Sequence, residues 1–207
     1  MNKTLWIIIF ALVCLIVLCL LLAVANFSGE RFFERFKEVD KIEANSKFST
    51  YEYIDFINQK YFDGKIKIAL VKELAGDAYG KGYLFLSNNT LDKHSLASFT
   101  IVSHELGHAL QDKQGTKLKK LSIFKRLLKI FGFFMMPCLI AGVVTFFVLS
   151  EMHFISYILF GLGGAIFLGA LISRIATISI EKEASNNAIK FLEEVLNKSQ
   201  LKICKKF

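Results

Sequence analysis

Three uncharged apolar runs, each long enough to cross a bilayer, constrain this chain more than any other feature. They are Leu5 to Ala25, Ile130 to Ser150 and Phe154 to Ser173. A helix needs about 20 residues to span a hydrocarbon core. A chain of 207 residues with three such runs has room left for one modest domain. Only Glu151, Met152 and His153 separate the second and third runs, which are therefore expected to form a tight transmembrane helical hairpin. Pro137 is expected to kink the second helix modestly, which membrane helices tolerate. Gly161, Ala165 and Gly169 are spaced by four and give the third helix a face for close packing. The first run, preceded by Lys3 and ending in Ala23-Val24-Ala25, has the outline of a secretory signal. Its apolar part is longer than a typical signal core, which favours an uncleaved N-terminal anchor.

Composition agrees with a membrane protein. Apolar residues make up 54% of the chain and the mean hydropathy is +0.45, both high for a water-soluble domain. The net charge of +8 raises the question of nucleic acid. The basic residues, however, gather beside the apolar runs, where they face anionic headgroups, and no nucleic-acid-binding signature accompanies them. The expected partners are the lipid bilayer and a protein or peptide substrate, not nucleic acid. Lys117, Lys119, Lys120, Lys125, Arg126 and Lys129 crowd the entry to the second run, and Arg174 closes the third. By the positive-inside rule those ends are cytoplasmic. The N-terminus is then outside, and the tail returns to the side of the central domain. Cys14, Cys19, Cys138 and Cys204 form no CxxC pair and no Cys/His cluster, so they read as inert thiols compatible with a reducing compartment.

Four segments follow: an anchor over 1–27, a cytoplasmic domain over 28–129, the hairpin over 130–174 and a C-terminal helix over 175–207. Within the domain, Tyr51, Ile54, Ile57 and Tyr61 share a helical face after the candidate cap Ser49. Lys65 to Val71 alternates as a half-buried strand would, Gly76, Gly80 and Gly82 mark a turn, and Tyr83 to Ser87 reads as a second strand. A helix is expected from about Ser95 to Lys113, stopped by Gly115. The fold class is α+β, mostly α, with a membrane part.

The segment His104-Glu105-Leu106-Gly107-His108 carries chemistry. Helical residues four apart lie on one face, about 6 Å apart along the axis. Both imidazoles can then reach one Zn2+, an ion that suits nitrogen and oxygen donors in a tetrahedron. Glu105 is placed to act as general base and then acid in peptide hydrolysis. Phe99, Val102, Leu106 and Ala109 supply an apolar stripe largely on another side, which leaves the histidines free to face a cleft. The bland alternative is a pair of helix histidines with no metal.

A catalytic zinc site needs a third protein ligand and an open position. His94 falls just before the helix, where it caps or faces solvent, and His153 lies in the hairpin loop on the opposite membrane face. Two crossings return the tail to the motif's side, where Glu181 and Glu183 appear. Ile180, Ala184, Ala188, Phe191 and Val195 form a stripe that Glu181 borders, so Glu181 is the candidate ligand. Glu183 lies further round, as an alternative ligand or a partner of one. For either glutamate a solvated helix face is the competing reading.

At these residues the chain resembles the YugP-like neutral zinc metallopeptidases. IVSHELGHALQDKQG is similar to their HE-x-GHA-x-Q helix, and IEKEASNNA to their E-x-D-A-S-x-x-A segment, with Glu183 where the family has aspartate. GDAYGKGYLFLS is similar to their D-x-Y stretch and following strand, without the usual Asp-Pro. A more distant similarity is to HtpX-type membrane proteases. The resemblance implies a zincin-like catalytic domain, zinc held by His104, His108 and Glu181, and a site at the cytoplasmic face of a bacterial plasma membrane. It also implies a further C-terminal membrane helix, which the sequence to Lys205-Lys206-Phe207 does not include. By analogy with other zinc peptidases, Tyr83 to Ser87 is a candidate for pairing with an extended substrate, with an ordinary core strand as the alternative. Tyr79 and Arg174 are candidates for stabilising the oxyanion, with structural roles as the alternative. A zinc-binding scaffold without turnover is the competing function, and retention of Glu105 argues against it.

Overall fold

The computed structural model describes residues 30–72, 76–115, 117–148 and 153–206. The run from Leu5 to Ala25 and the Glu151-Met152 link lie outside them. Helix α1 (residues 30–40) leads to α2 (Thr50–Phe62), then to the strands β1 (Lys67–Val71), β2 (Ala78–Gly80) and β3 (Tyr83–Ser87). A short α3 (Asn88–Asp92) precedes α4 (Leu96–Lys113), the long helices α5 (Lys117–Val148) and α6 (His153–Leu192), and α7 (Lys198–Cys204). The described chain is mostly helical with one small sheet.

Ser49 starts α2 as expected. Its hydroxyl accepts the Glu52 N–H while the Glu52 carboxylate accepts the Ser49 N–H at 2.8 Å, a reciprocal capping box. The buried face differs from the expected one. Ile54 and Ile57 are buried with Tyr53 and Phe62, whereas Tyr51 is 61% exposed. Two tyrosines two residues apart both fit a helical period. Tyr53 is the one turned inward, because its hydroxyl meets the Ser103 hydroxyl of α4 at 2.6 Å and its ring stacks on Phe99.

The sheet order is β1-β3-β2, with β1 parallel and β2 antiparallel to β3. Strand β1 starts later than the alternation suggested. The Asn58 side chain claims both main-chain groups of Ile66, donating to its carbonyl at 2.9 Å and accepting its N–H at 3.0 Å. The glycine-marked turn contains the short strand β2, and the turn proper is Lys81-Gly82, with φ of 52° and 82°. Two consecutive positive φ values belong to the type I′ turn that a two-residue hairpin favours. Strand β3 is central and paired on both sides, so Tyr83 to Ser87 offers no edge to an extended substrate. Leu84 and Leu86 face the core.

Helix α4 is the axis of the domain. Ser95 caps it, accepting the Ser98 N–H, and the chain turns away at Gly115 with φ 102°. His94 therefore does not cap; its ring packs edge-on against Phe99, 5.4 Å between centroids. Phe99, Val102, Leu106 and Ala109 are buried as the stripe implied. The second half of α6 lies across α4, burying Ile180, Ala184, Ala188 and Phe191.

Helices α5 and α6 pair along their length, and each is long and apolar enough to cross a membrane. Pro137 lies inside α5, which continues through it. Close packing centres on Gly163 rather than Gly161. A Cβ at Gly163 would stand 2.8 Å from Leu139, and one at Gly169 2.9 Å from Phe131, while Gly161 faces open space. The outward faces are apolar, with Phe133, Phe147, Phe154 and Ile172 exposed. Beyond Ser173 the same helix continues without a break into the domain. Cys138 and Cys204 are free thiols.

Candidate metal centre

The helical repeat of α4 puts His104 and His108 side by side, their ring centroids 4.8 Å apart. Helix α6 crosses above them and lowers Glu181 between the rings. Its Oε2 lies 3.3 Å from His104 Nε2 and 3.2 Å from His108 Nε2. One ligand atom from each of the three residues falls within 4.8 Å of the others. His108 is buried, while His104 and Glu181 are partly open. His94 and His153 stay outside this cluster; the His153 ring stacks on Phe146 at the far end of the long helices.

What allows the two helices so close is Gly107. A Cβ there would lie 2.3 Å from the carbonyl oxygen of Ala184. The glycine of the motif is thus a crossing point, one residue from His108 and opposite the turn that carries Glu181.

Beneath the cluster, Gln111 is fully buried. Its Oε1 lies 3.0 Å from His108 Nδ1, and its Nε2 donates to the Ile180 carbonyl at 2.8 Å and to Glu183 Oε2 at 3.3 Å. An amide that accepts from Nδ1 fixes the tautomer whose Nε2 carries a free lone pair toward Glu181. Ser185 Oγ lies 3.3 Å from His104 Nδ1. Glu183 stands one step out, against Gln111.

Glu105 lies beside the cluster. The main-chain N–H of Tyr79, on β2, donates to Glu105 Oε2 at 2.6 Å. Asp77 sets that strand in place by accepting the Ser87 N–H at 2.7 Å and the Thr90 hydroxyl at 2.6 Å. The Tyr79 hydroxyl points elsewhere, donating to Asp112 at 2.9 Å and accepting from the Gly82 N–H at 3.2 Å. Arg174 is exposed. Lys125 of α5 does approach, with Nζ 3.0 Å from Glu181 Oε1.

The electrostatics follow from these contacts. Burial pushes the Glu105 carboxyl up, only partly offset by His108, His104, the Tyr79 N–H and the charge of Lys125. His104 and His108 hold Glu181 well below the usual carboxylate range. Burial acts to lower His108, but hydrogen bonds to Glu181 and Gln111 outweigh it and the ring is raised. The cluster is a coupled set of one anion and two imidazoles arranged around a common point. The cavity lined by Phe48, Tyr51, Glu52 and Phe56 shares no residue with it.

Two imidazole nitrogens and a carboxylate oxygen converge from crossed helices into a group that could hold a metal ion, and the donor set suits Zn2+. The chain belongs to the family described as "Putative neutral zinc metallopeptidase", whose model matches residues 9–207. That family's cofactor is Zn2+. Neither the curated proteins nor the solved structures gave a match to the chain.

Sequence reasoning passed over Gly107, Gln111, Lys125 and the Tyr79 N–H as parts of this centre. Gln111 lies three residues from His108, a spacing that faces it, and it is the glutamine of the HE-x-GHA-x-Q pattern. For the other three the signal lies in the partner element.

Proposed function

We propose that the protein is a membrane-anchored zinc endopeptidase, with His104, His108 and Glu181 as ligands and Glu105 as general base and acid. The observation that carries this reading is the meeting of Glu181 with His104, 77 residues earlier, inside a 4.8 Å cluster beside the half-buried carboxyl of Glu105. Zinc held there would act as a Lewis acid on water and on the substrate carbonyl. The residues supply the rest. Gln111 keeps His108 in the tautomer that can ligate. Tyr79 N–H holds one oxygen of Glu105, which leaves the other free to take the proton of the attacking water and pass it to the leaving amine. A carboxyl raised by burial is suited to both halves of that transfer.

The apolar outward faces of α5 and α6, with the run from Leu5 to Ala25, favour seating in a bilayer, and the basic flanks favour a cytoplasmic site. Glu181 lies about 12 Å beyond Ser173 at helical rise, so juxtamembrane segments of proteins are the substrates within reach. A bacterial plasma membrane is the proposed location. The sheet edge nearest Glu105 belongs to β2, which replaces β3 as the element an extended peptide would run along.

The test is zinc content and peptide cleavage in wild type, His108→Ala, Glu181→Ala and Glu105→Gln. The expected outcome is zinc lost in the first two variants and kept in Glu105→Gln, with cleavage lost in all three. Zinc bound without any cleavage in the wild type would favour the scaffold. A wild type that stays empty when zinc is supplied would sink both.

A further inference from the structure

The contacts of Lys125 give it a place in the chemistry. Its basic neighbours suggested a residue facing lipid headgroups, yet Nζ lies 3.0 Å from Glu181 Oε1. The two oxygens of Glu181 are divided: Oε2 faces the histidine nitrogens and Oε1 faces the ammonium. The lysine side chain is 59% exposed and its charge also acts on Glu105. The ammonium therefore stands on the open side of the cluster, in contact with Glu181 and with its charge felt at Glu105. A lysine has three N–H donors, and Glu181 takes one of them.

Beside the metal, peptide hydrolysis at this centre gains from a second donor to the negative charge that grows on the scissile carbonyl oxygen. Tyr79 cannot supply it from where its hydroxyl is held, on Asp112 and Gly82. Resting on the peptidase reading above, we propose that Lys125 is a catalytic residue that donates to this oxygen as the tetrahedral carbon forms. The proton stays on the lysine throughout; the oxygen gains charge as water adds and returns it when the C–N bond breaks. The donor comes from α5, so the long paired helices are part of the active site as well as its support.

The experiment uses full-length, zinc-loaded protein in detergent, as wild type, Lys125→Met and Lys125→Arg. Three quantities are read: zinc per chain, kcat and KM on a casein-derived peptide, and the affinity of an N-phosphoryl dipeptide, whose tetrahedral anion mimics the charged oxygen. Lys125→Met is expected to keep its zinc and KM and to lose kcat and phosphoryl-dipeptide affinity by about 100-fold each. Lys125→Arg should recover part of both. Loss of zinc in Lys125→Met would make the residue a support for Glu181 and overturn the assignment, as would unchanged kcat with zinc retained. A wild type that holds zinc but neither cleaves peptide nor binds the phosphoryl dipeptide would overturn the peptidase reading itself.

Discussion

Replacing Gly107 by alanine adds a single methyl group where α4 and α6 cross. In an ordinary helix interior the exchange is favourable by about 1 kcal/mol, because glycine is the costlier residue there. Here the contact reverses the sign. The new Cβ would stand 2.3 Å from the Ala184 oxygen, 3.0 Å from its carbonyl carbon and 3.2 Å from its Cα. All three are backbone atoms, so no side chain can swing aside. Ordinary contact begins at 3.4 Å, which requires the helices to part by about 1 Å, and overpacking of this kind costs about 1–3 kcal/mol. The greater consequence is for the metal. Donor distances are set within about 0.2 Å, and Glu181 lies one turn from Ala184 on the displaced helix. Gly107→Ala should therefore melt lower than wild type and bind zinc at least about tenfold more weakly. Thermal unfolding of metal-free and zinc-loaded protein, with competition against a chelator, measures both. A variant as stable as wild type with undiminished zinc affinity would refute the close-approach argument.

Gln111→Leu leaves His108 Nδ1 without its partner in a buried setting and removes the second hydrogen bond to the Ile180 carbonyl; a loss of about 1–3 kcal/mol is expected, with zinc affinity down about 10- to 100-fold, read by unfolding and chelator competition. In the metal-free protein His108 is raised above the ordinary 6.5. Its pairing thus contributes stability that is complete below 6.5 and fades as pH rises through the raised value. Zinc requires the neutral ring, so the rise in Tm on adding zinc should grow from about pH 6 to pH 8; a constant rise would contradict this. Asp40 is exposed to opposing effects, burial raising it and the bonds to Lys93 and Ser95 lowering it below the ordinary 3.8. Its contribution is present above 3.8 and lost as pH falls through the lower folded value. Asp40→Asn should cost about 1–2 kcal/mol near neutral pH, and the deficit should shrink in acid, as Tm against pH will report.

The pieces legible in the sequence were those whose cause is local. Ser49 caps α2 because its hydroxyl reaches the N–H three residues on, and the HELGH spacing puts two imidazoles on one face by helical geometry alone; the cap of α4 is Ser95, one residue beyond the expected His94. Glu181 was found by a count of crossings and the stripe beside it. What escaped depends on a second element. Tyr51 and Tyr53 both fit the period of α2, and only Ser103 on another helix selects Tyr53. Three residues of β2 carry too little pattern to stand apart from the glycines around them. Gly161 matched a small-residue spacing, but the rotation of α6 against α5 turned Gly163 inward. Gly107 looked like any glycine between two ligands until Ala184 was laid against it, and Lys125 looked like one more basic flank.

Helix α6 has 40 residues and no interruption, so it is about 60 Å long at helical rise. The carboxylate at Glu181 and the apolar turns before Ser173 belong to one rigid rod. With those turns seated in a bilayer, the height of the metal above the membrane is fixed by counting residues, and the rod acts as a ruler. On the peptidase reading proposed above, selection of the bond to be cut would follow the distance of that bond from the membrane more than the side chains around it. An added residue between Ser173 and Glu181 would move the carboxylate by about 1.5 Å along the rod and about 100° around it, changing the length of the ruler and removing its metal end from the histidines in a single step.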